Sequence, residues 1–228
     1  MAERQSGASR PDHLAPVLVI GLGRFGAATA AQLVELGREV LAIERDPALV
    51  QKFAGQLTHV VEADATNIDA LRQLGAEEFT SAVVGVGTSI ESSVLITVNL
   101  VDLGIEHIWV KAITAAHGKI LARIGANHII YPEADAGRRA AHLVGGRMLD
   151  YIEFDDDFAI VKMYPPKETV GFTLGEAQIR SKYGVTVVGV KSPGEDFTYA
   201  RPDTRVSSRD TLIVSGHVEL LERFAARP

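Results

Sequence analysis

The 228-residue sequence contains no cysteine. Disulfide bonds, thiolate catalysis and cysteine-ligated metal sites are therefore excluded, and the composition fits a reducing compartment. Long apolar runs are missing as well. The longest stretch free of Asp, Glu, Lys and Arg covers residues 79–90, far below the ~20 apolar residues that a membrane-spanning helix requires. Residues 1–14 lack the apolar segment of a signal peptide, so we expect a disordered N-terminus on a cytoplasmic protein.

An excess of positive charge is lacking too. The chain has 29 acidic and 23 basic residues and a net charge of −6. This balance argues against nucleic acid or an anionic membrane surface as the main partner. The hydrophobic content of 46% is typical of a globular protein, and the length suits one large domain or two small ones.

From Pro16 onward, short β-rich runs alternate with helical segments. This alternation is typical of βαβ units, in which a parallel sheet is covered by helices on both faces. We therefore predict an α/β fold, a doubly wound Rossmann-like domain, over residues 15–134. Its six strands are expected at residues 17–20, 40–43, 59–61, 82–86, 108–110 and 128–130.

The pattern changes after residue 134. Apolar residues at helical spacing predict a linker helix over residues 135–149, which fills a crossover segment of residues 135–150. Gly145 and Gly146 weaken this helix and mark a kink, a hinge or a close crossing with another backbone. Residues 151–228 form a small α+β domain, with strands expected at 158–163, 185–190 and 211–214 and helices at 173–182 and 218–225.

The first strand runs into a glycine loop. Gly21, Gly23 and Gly26 form the pattern G-x-G-x-x-G between a strand and a helix. The first glycine permits a tight turn, the second lets backbone N–H groups approach a phosphate, and the third lets the helix pack close to the strand. Glu44 ends the second strand, where its carboxylate can accept from both ribose hydroxyls. A plain glycine turn would not explain Glu44, so the pattern indicates a bound adenine nucleotide.

Two further loops end at the same edge of the predicted sheet. Asp64, Ala65 and Thr66 follow the third strand, where this loop of a Rossmann domain lies beside the adenine. The alternative is that Thr66 serves as the N-cap of a helix over residues 67–74. Gly85, Val86, Gly87 and Thr88 end the fourth strand, where they either line the cleft or form a simple glycine turn.

A catalytic apparatus is hard to find. No Tyr is followed four positions later by Lys, and four histidines, at positions 59, 107, 117 and 128, have no evident carboxylate partner. Arg24 lies inside the glycine loop, and a guanidinium there suits a terminal, multiply charged phosphate better than the diphosphate bridge of NAD. An NAD(P)-dependent oxidoreductase stays the alternative function.

Several segments resemble one family. VIGLGRFG at residues 19–26, IWVKA at 108–112 and IGANHIIYPE at 124–133 are similar to the RCK domain, also called KTN or TrkA-N. IRSKYG at 179–184 is similar to the RCK-C (TrkA-C) domain. The resemblance covers nearly everything from Pro16 onward. The chain thus resembles the regulatory subunits of Trk/Ktr-type potassium uptake systems, of the KtrA type.

The resemblance implies a gating subunit and not an enzyme. Such subunits lie in the cytoplasm at the inner face of the membrane, where dimers close into an octameric ring beneath a potassium-transporting membrane subunit. ATP favours the active ring and ADP the inactive one. The candidate nucleotide-binding residues are Gly21, Gly23, Arg24, Phe25, Gly26, Glu44, Arg45, Asp64, Ala65, Thr66, Gly85, Gly87 and Lys111.

Two more sites follow from the resemblance. Glu133 matches a glutamate that helps to bind a divalent cation, Mg²⁺ or Ca²⁺, across the dimer; otherwise it is an acid that stabilises a helix start. Arg180, with Val187 and Val188, matches a groove that binds cyclic di-AMP in some relatives; otherwise Arg180 is a solvated charge. Arg45, beside the ribose position, is able to accept a 2′-phosphate, so NAD(H) and NADP(H) stay open as ligands.

Overall fold

The computed structural model describes residues 15–154 and 157–227. The disordered N-terminus expected for residues 1–14 lies outside the described residues. Contacts divide the chain between Glu133 and Ala134 into two compact units, each of which has its own sheet.

The first unit alternates strands and helices. Its strands are β1 (Val17–Ile20), β2 (Val40–Glu44), β3 (His59–Glu62), β4 (Ser81–Val84), β5 (His107–Lys111) and β6 (His128–Ile130). Its helices are α1 (Arg24–Glu35), α2 (Pro47–Phe53), α3 (Ile68–Gln73), α4 (Ile90–Asp102) and α5 (Ala115–Arg123). The strands form one sheet in the order β3-β2-β1-β4-β5-β6, and every neighbouring pair is parallel. The predicted Rossmann-like sheet is confirmed.

Strand β1 shows why the sheet is doubly covered. All four of its residues are buried, because its two faces contact different apolar clusters. Leu18 and Ile20 belong to one cluster and Val17 and Val19 to the other. The strand order reverses between β1 and β4, and in open sheets of this kind ligands bind at the carboxyl ends of the strands where the order reverses.

Side-chain caps fix where helices α2 to α5 begin. Asp46 caps α2 by accepting a hydrogen bond from Ala48 N–H, and Pro47 is the first helical residue. The alternative prediction, in which Thr66 is the N-cap of the helix over residues 67–74, is wrong. Asn67 caps α3, since its Oδ1 accepts from the backbone N–H of Asp69 at 3.0 Å, while the hydroxyl of Thr66 bonds to Asp64.

The linker helix starts and stops earlier than predicted. Helix α6 spans Pro132–Leu143, and strand β7 (Met148–Glu153) occupies the segment where the sequence analysis expected its last turns. The two glycines end the helix and do not kink it. Gly146 has φ +76°, and its N–H donates to the carbonyl of Leu143 at 3.0 Å. This left-handed glycine after the last turn is a common helix terminator.

The second unit contains an antiparallel sheet. Its remaining elements are β8 (Phe158–Met163), α7 (Leu174–Ala177), α8 (Ile179–Tyr183), β9 (Thr186–Lys191), β10 (Thr198–Tyr199), β11 (Thr211–His217) and α9 (Val218–Ala225). The strand order is β10-β9-β11-β8-β7. The helix expected over residues 173–182 is wrong, because Gln178 adopts φ +50° and separates α7 from α8. Strands β7 and β10 were not predicted. Across the described residues, no helix is both long and apolar enough to cross a membrane.

Candidate nucleotide-binding site

A cleft lies at the carboxyl ends of the central parallel strands. It has a volume of about 250 Å³, just below the ~300–1,000 Å³ usual for small-molecule sites. Nine of the thirteen predicted nucleotide-binding residues line it: Gly21, Gly23, Glu44, Arg45, Asp64, Ala65, Thr66, Gly85 and Gly87. The structure therefore brings together residues that are up to 66 positions apart in the sequence.

The glycine loop packs backbone against backbone. Gly21 has φ +88°, and a Cβ atom on Gly26 would lie 1.9 Å from the carbonyl oxygen of Gly21. A Cβ on Gly85 would lie 2.9 Å from that same oxygen and 3.0 Å from Cα of Gly26. Gly85 is thus required for packing and also lines the cleft. Gly23 differs, since a Cβ there would meet no described atom within 4 Å.

The N-terminus of α1 differs from those of the four helices that follow it. Each of α2 to α5 has a side chain that accepts a hydrogen bond from its first turn. Helix α1 begins after Gly23 and has no such side-chain cap. The first backbone N–H groups of a helix need an acceptor, and together with the helix dipole they favour an anion. The phosphate-binding role predicted for this loop fits that arrangement.

Glu44 connects the loop to the end of β2. Its Oε2 accepts a hydrogen bond from Leu22 N–H at 2.6 Å, and its Oε1 accepts from the N–H groups of Arg45 and Asp46 at 2.8 and 3.0 Å. The side chain is buried. A carboxylate has about four acceptor positions, so room is left for one further donor. Glu44 therefore holds the glycine loop against the end of β2 without a bound ligand. Its carboxylate retains capacity for one ribose hydroxyl.

The loop after β3 forms another part of the cleft wall. Oδ1 of Asp64 accepts from the hydroxyl of Thr66 at 2.7 Å and from its backbone N–H at 2.9 Å. These hydrogen bonds, with a smaller contribution from the positive charge of Arg45, lower the pKa of Asp64 below its usual value. The carboxylate of Asp64 is consequently charged at neutral pH and is attracted by the positive charge of Arg45.

Four predicted residues do not line the cleft: Arg24, Phe25, Gly26 and Lys111. The ring of Phe25 packs against an apolar cluster on one face of the sheet. Lys111 lies at the rim, because a Cβ on the cleft residue Gly87 would lie 3.2 Å from its Nζ. That ammonium bonds to Oε1 of Glu133 at 2.6 Å.

Glu133 lies among positive charges. Its pKa is lowered, first by the hydrogen bond from Lys111 and also by the charges of Lys111 and Arg24. The structure thus places Arg24, Lys111 and Glu133 in one electrostatic neighbourhood. Within the described part of a single chain, no group of three or more His, Asp or Glu side chains could hold a metal ion. A cation at Glu133 would compete with Lys111 for the carboxylate.

A shallow groove lies in the second unit, between α8 and the β9 region. Arg180 and Val187 line it, together with Arg201 and Pro202, and its volume is about 220 Å³. Val188, predicted for the same site, does not line the groove and has a partly exposed side chain.

The sequence analysis missed several cleft residues. Ile20, Ile43 and Ala63 adjoin predicted residues on the chain, and Asp46, Leu49, Ser92 and Ile96 complete the lining together with Val86 and Thr88, which the sequence analysis had placed at the cleft. The spacing of Ser92 and Ile96 on a predicted helix was an available signal, since residues four apart share a helix face.

Comparisons with known proteins agree with this architecture. The TrkA-N domain family model matches residues 17–132, and the TrkA-C domain model matches residues 158–227. Ktr system potassium uptake protein C of Bacillus subtilis (strain 168) is 37% identical over 210 residues, which is 92% of this chain and 95% of that protein. Ktr system potassium uptake protein A of the same organism is 36% identical, covering 90% and 93% of the two chains.

Solved structures show the same fold. The GsuK RCK domain superposes with a TM-score of 0.65 at 18% identity, covering 96% of this chain and 50% of that chain. The TrkA-N domain of the inner membrane protein ybaL from Escherichia coli has a TM-score of 0.52 at 18% identity, covering 57% and 97%. The chain therefore belongs to the family that joins a TrkA-N domain to a TrkA-C domain, which includes the Ktr system potassium uptake proteins.

Proposed function

We propose that this protein is a nucleotide-binding regulatory subunit of a Trk/Ktr-type potassium uptake system and has no enzymatic activity of its own. The observation that carries the proposal is the glycine loop, which Glu44 holds in place beside an uncapped helix N-terminus. Homology to Ktr proteins over nearly the whole chain supports a regulatory subunit over an oxidoreductase.

The ligands we propose are ATP and ADP. When bound, ATP supplies one more phosphate than ADP. A cleft of about 250 Å³ is small for a triphosphate, so the phosphate chain would extend toward the rim. Arg24 and Lys111 are the cations of this chain at that rim, and they would respond to the additional charge. A ring assembled from such subunits would amplify the difference between the two nucleotides into gating.

The charges around the ribose position argue against NADP(H). Arg45 is able to accept a 2′-phosphate, but its charge already attracts the carboxylate of Asp64. The buried carboxylate of Glu44 would lie beside the same phosphate and repel it. Calorimetric titration of the full chain with ATP, ADP, NADH and NADPH tests the proposal. We expect ATP and ADP to bind most tightly, and tighter binding of NADPH would overturn the gating function in favour of a redox role.

The proposed partners are a potassium-transporting membrane subunit and further copies of this chain. Dimers would close into an octameric ring at the inner face of the membrane, with Mg²⁺ or Ca²⁺ between the Glu133 carboxylates of two copies. Light scattering gives the number of copies with ATP and with ADP. Potassium flux into proteoliposomes that contain a Trk/Ktr membrane subunit should rise when the chain is added with ATP. Equal flux with ATP and ADP would contradict the switch.

Cyclic di-AMP is a second candidate ligand, bound by the second unit. The groove there places Arg180 and Arg201 beside the apolar residues Val187 and Pro202, an arrangement that suits a ligand with phosphates and flat bases. Titration with cyclic di-AMP should show binding that Arg180→Ala weakens. Unchanged affinity in that variant would remove the groove as the site.

A further inference from the structure

Helix α4 is hydrogen-bonded to the loop after β3, which lines the cleft. The side-chain amide of Asn99 donates to the carbonyl oxygen of Ala65 at 3.1 Å and to that of Thr66 at 3.0 Å. Asn99 is half-buried, and the two residues that it contacts line the cleft. Both hydrogen bonds span more than thirty residues of sequence, so they fix tertiary structure and not a local turn.

Hydrogen bonds to Asp64, which belongs to the same loop, fix the conformation of the loop. The carboxylate accepts from the N–H and the hydroxyl of Thr66, and the carbonyl of Asp64 accepts from the N–H of Asn67 at 3.1 Å. These bonds are local and curl the loop into a turn. Asn99 therefore ties this turn to helix α4.

Asn99 lies on the face of α4 that is turned toward the cleft. Ser92 and Ile96 line the cleft directly, and Asn99 follows them at helical spacing. Helix α4 thus supports the cleft at three positions. Ser92 and Ile96 line the cleft directly, and Asn99 holds the loop after β3.

We propose that Asn99 is a positioning residue that sets the affinity for the nucleoside part of the ligand. This inference rests on the proposed adenine-nucleotide site. Among the described residues, the side-chain hydrogen bonds of Asn99 go to the loop after β3 and not to the glycine loop, so its loss should weaken AMP, ADP and ATP by the same factor. The preference for ATP over ADP, which we assign to Arg24 and Lys111, should stay unchanged.

The test compares three full-length variants by calorimetry and amide hydrogen exchange. Asn99→Ala removes both donors, and alanine favours a helix. Asn99→Asp keeps the shape but places a carboxylate against two carbonyl oxygens. Asn127→Ala is the matched control, since Oδ1 of Asn127 accepts from Ile108 N–H at 2.7 Å in the same unit, away from the cleft lining.

We expect both Asn99 variants to bind AMP, ADP and ATP roughly tenfold more weakly, the order expected for lost hydrogen bonds. Exchange of the amides in residues 63–67 should accelerate in both variants, whereas Asn127→Ala should leave affinities and that segment unchanged. Wild-type affinity in Asn99→Ala, or a loss confined to ATP, would overturn the inference. If the wild-type chain binds no nucleotide, the proposed function fails instead, and exchange in residues 63–67 still shows whether Asn99 anchors the loop.

Discussion

Lys111 and Glu133, which the sequence analysis assigned to two different ligands, are ion-paired with each other: Nζ of the lysine lies 2.6 Å from Oε1 of the glutamate. Lys111 ends β5, and Glu133 lies in the first turn of α6. The lysine side chain is 15% exposed and the glutamate side chain 63%. A phosphate that attracts Lys111 would release Glu133 for a cation, so binding of one ligand at this ion pair would favour binding of the other.

Replacing Glu133 tests the cation site. Glu133→Gln keeps the shape of the side chain but removes the charge that a divalent cation needs. We expect Mg²⁺ and Ca²⁺ to raise the melting temperature of the ATP-bound wild type and to have no effect on this variant. Asp135→Asn is the control, because Asp135 is an exposed acid two positions further along α6 that pairs with Arg138. A cation effect that persists in Glu133→Gln would place the site elsewhere.

Arg24→Ala should weaken ATP more than ADP. The exposed guanidinium at the start of α1 contributes to the positive potential at the rim, where the additional phosphate of ATP would lie. Calorimetry with both nucleotides measures the ratio of dissociation constants. Arg72→Ala removes the same charge from an exposed site paired with Asp69 and should leave the ratio unaltered. Equal losses for ATP and ADP would mean that Arg24 does not sense the terminal phosphate.

Two glycines of the loop should respond differently to alanine. Gly26→Ala forces a Cβ to 1.9 Å from the carbonyl oxygen of Gly21, so we expect the variant to be largely unfolded. At Gly23, where φ is −63°, a Cβ meets no described atom within 4 Å. Gly23→Ala should therefore melt within a few degrees of the wild type and lose nucleotide affinity, because the methyl group occupies the approach of the phosphate. Circular dichroism and calorimetry separate the outcomes, and full ATP affinity in Gly23→Ala would refute the assigned role.

Glu44→Gln should destabilise the protein even without nucleotide. The carboxylate accepts three backbone N–H groups, and the amide nitrogen of glutamine would face at least one of them as a second donor. Leaving a buried donor without an acceptor costs about 1–3 kcal/mol. Chemical denaturation of the ligand-free chain measures this loss. An unchanged free energy of unfolding would show that the loop is ordered without Glu44.

The sequence was sufficient for the sheet but not for all of the site. Continuous apolar strands such as β1 are readable because both faces are buried. The ion pair between Lys111 and Glu133 was not predictable, since it depends on how the end of β5 lies against the start of α6. The role of Asn99 was hidden for the same reason, because a polar residue in a helix does not reveal a contact more than thirty positions away.

Helix and strand boundaries failed where local signals conflicted. The segment after Leu143 has apolar residues at helical spacing, but Gly146 adopts φ +76° and the following residues pair with β8. Gln178 breaks the predicted helix over residues 173–182 with φ +50°, a conformation that is unusual for glutamine. After Leu143, strand pairing outweighs helix propensity, which is a weak guide on its own.

His117 should make the stability of the protein depend on pH. Its ring is buried at the start of α5, Nδ1 accepts from Ile113 N–H at 3.3 Å, and Nε2 has no hydrogen-bond partner among the described residues. Burial lowers the pKa of His117 below its ordinary value of 6.5. As the pH falls below 6.5, the unfolded chain takes up a proton that the folded chain does not bind, so folding stability decreases.

Melting temperatures measured between pH 7.5 and 5.5 test this dependence. Asn in place of His117 still offers an acceptor to Ile113 N–H but does not titrate, so His117→Asn should lose fewer degrees over this range than the wild type. The slopes of melting temperature against pH are compared, and not the melting temperatures themselves, because the smaller side chain lowers stability at every pH. His59→Asn is the control, since His59 is exposed on β3 and should leave the slope unchanged. Identical slopes in the wild type and His117→Asn would show that this ring does not set the acid sensitivity of the fold.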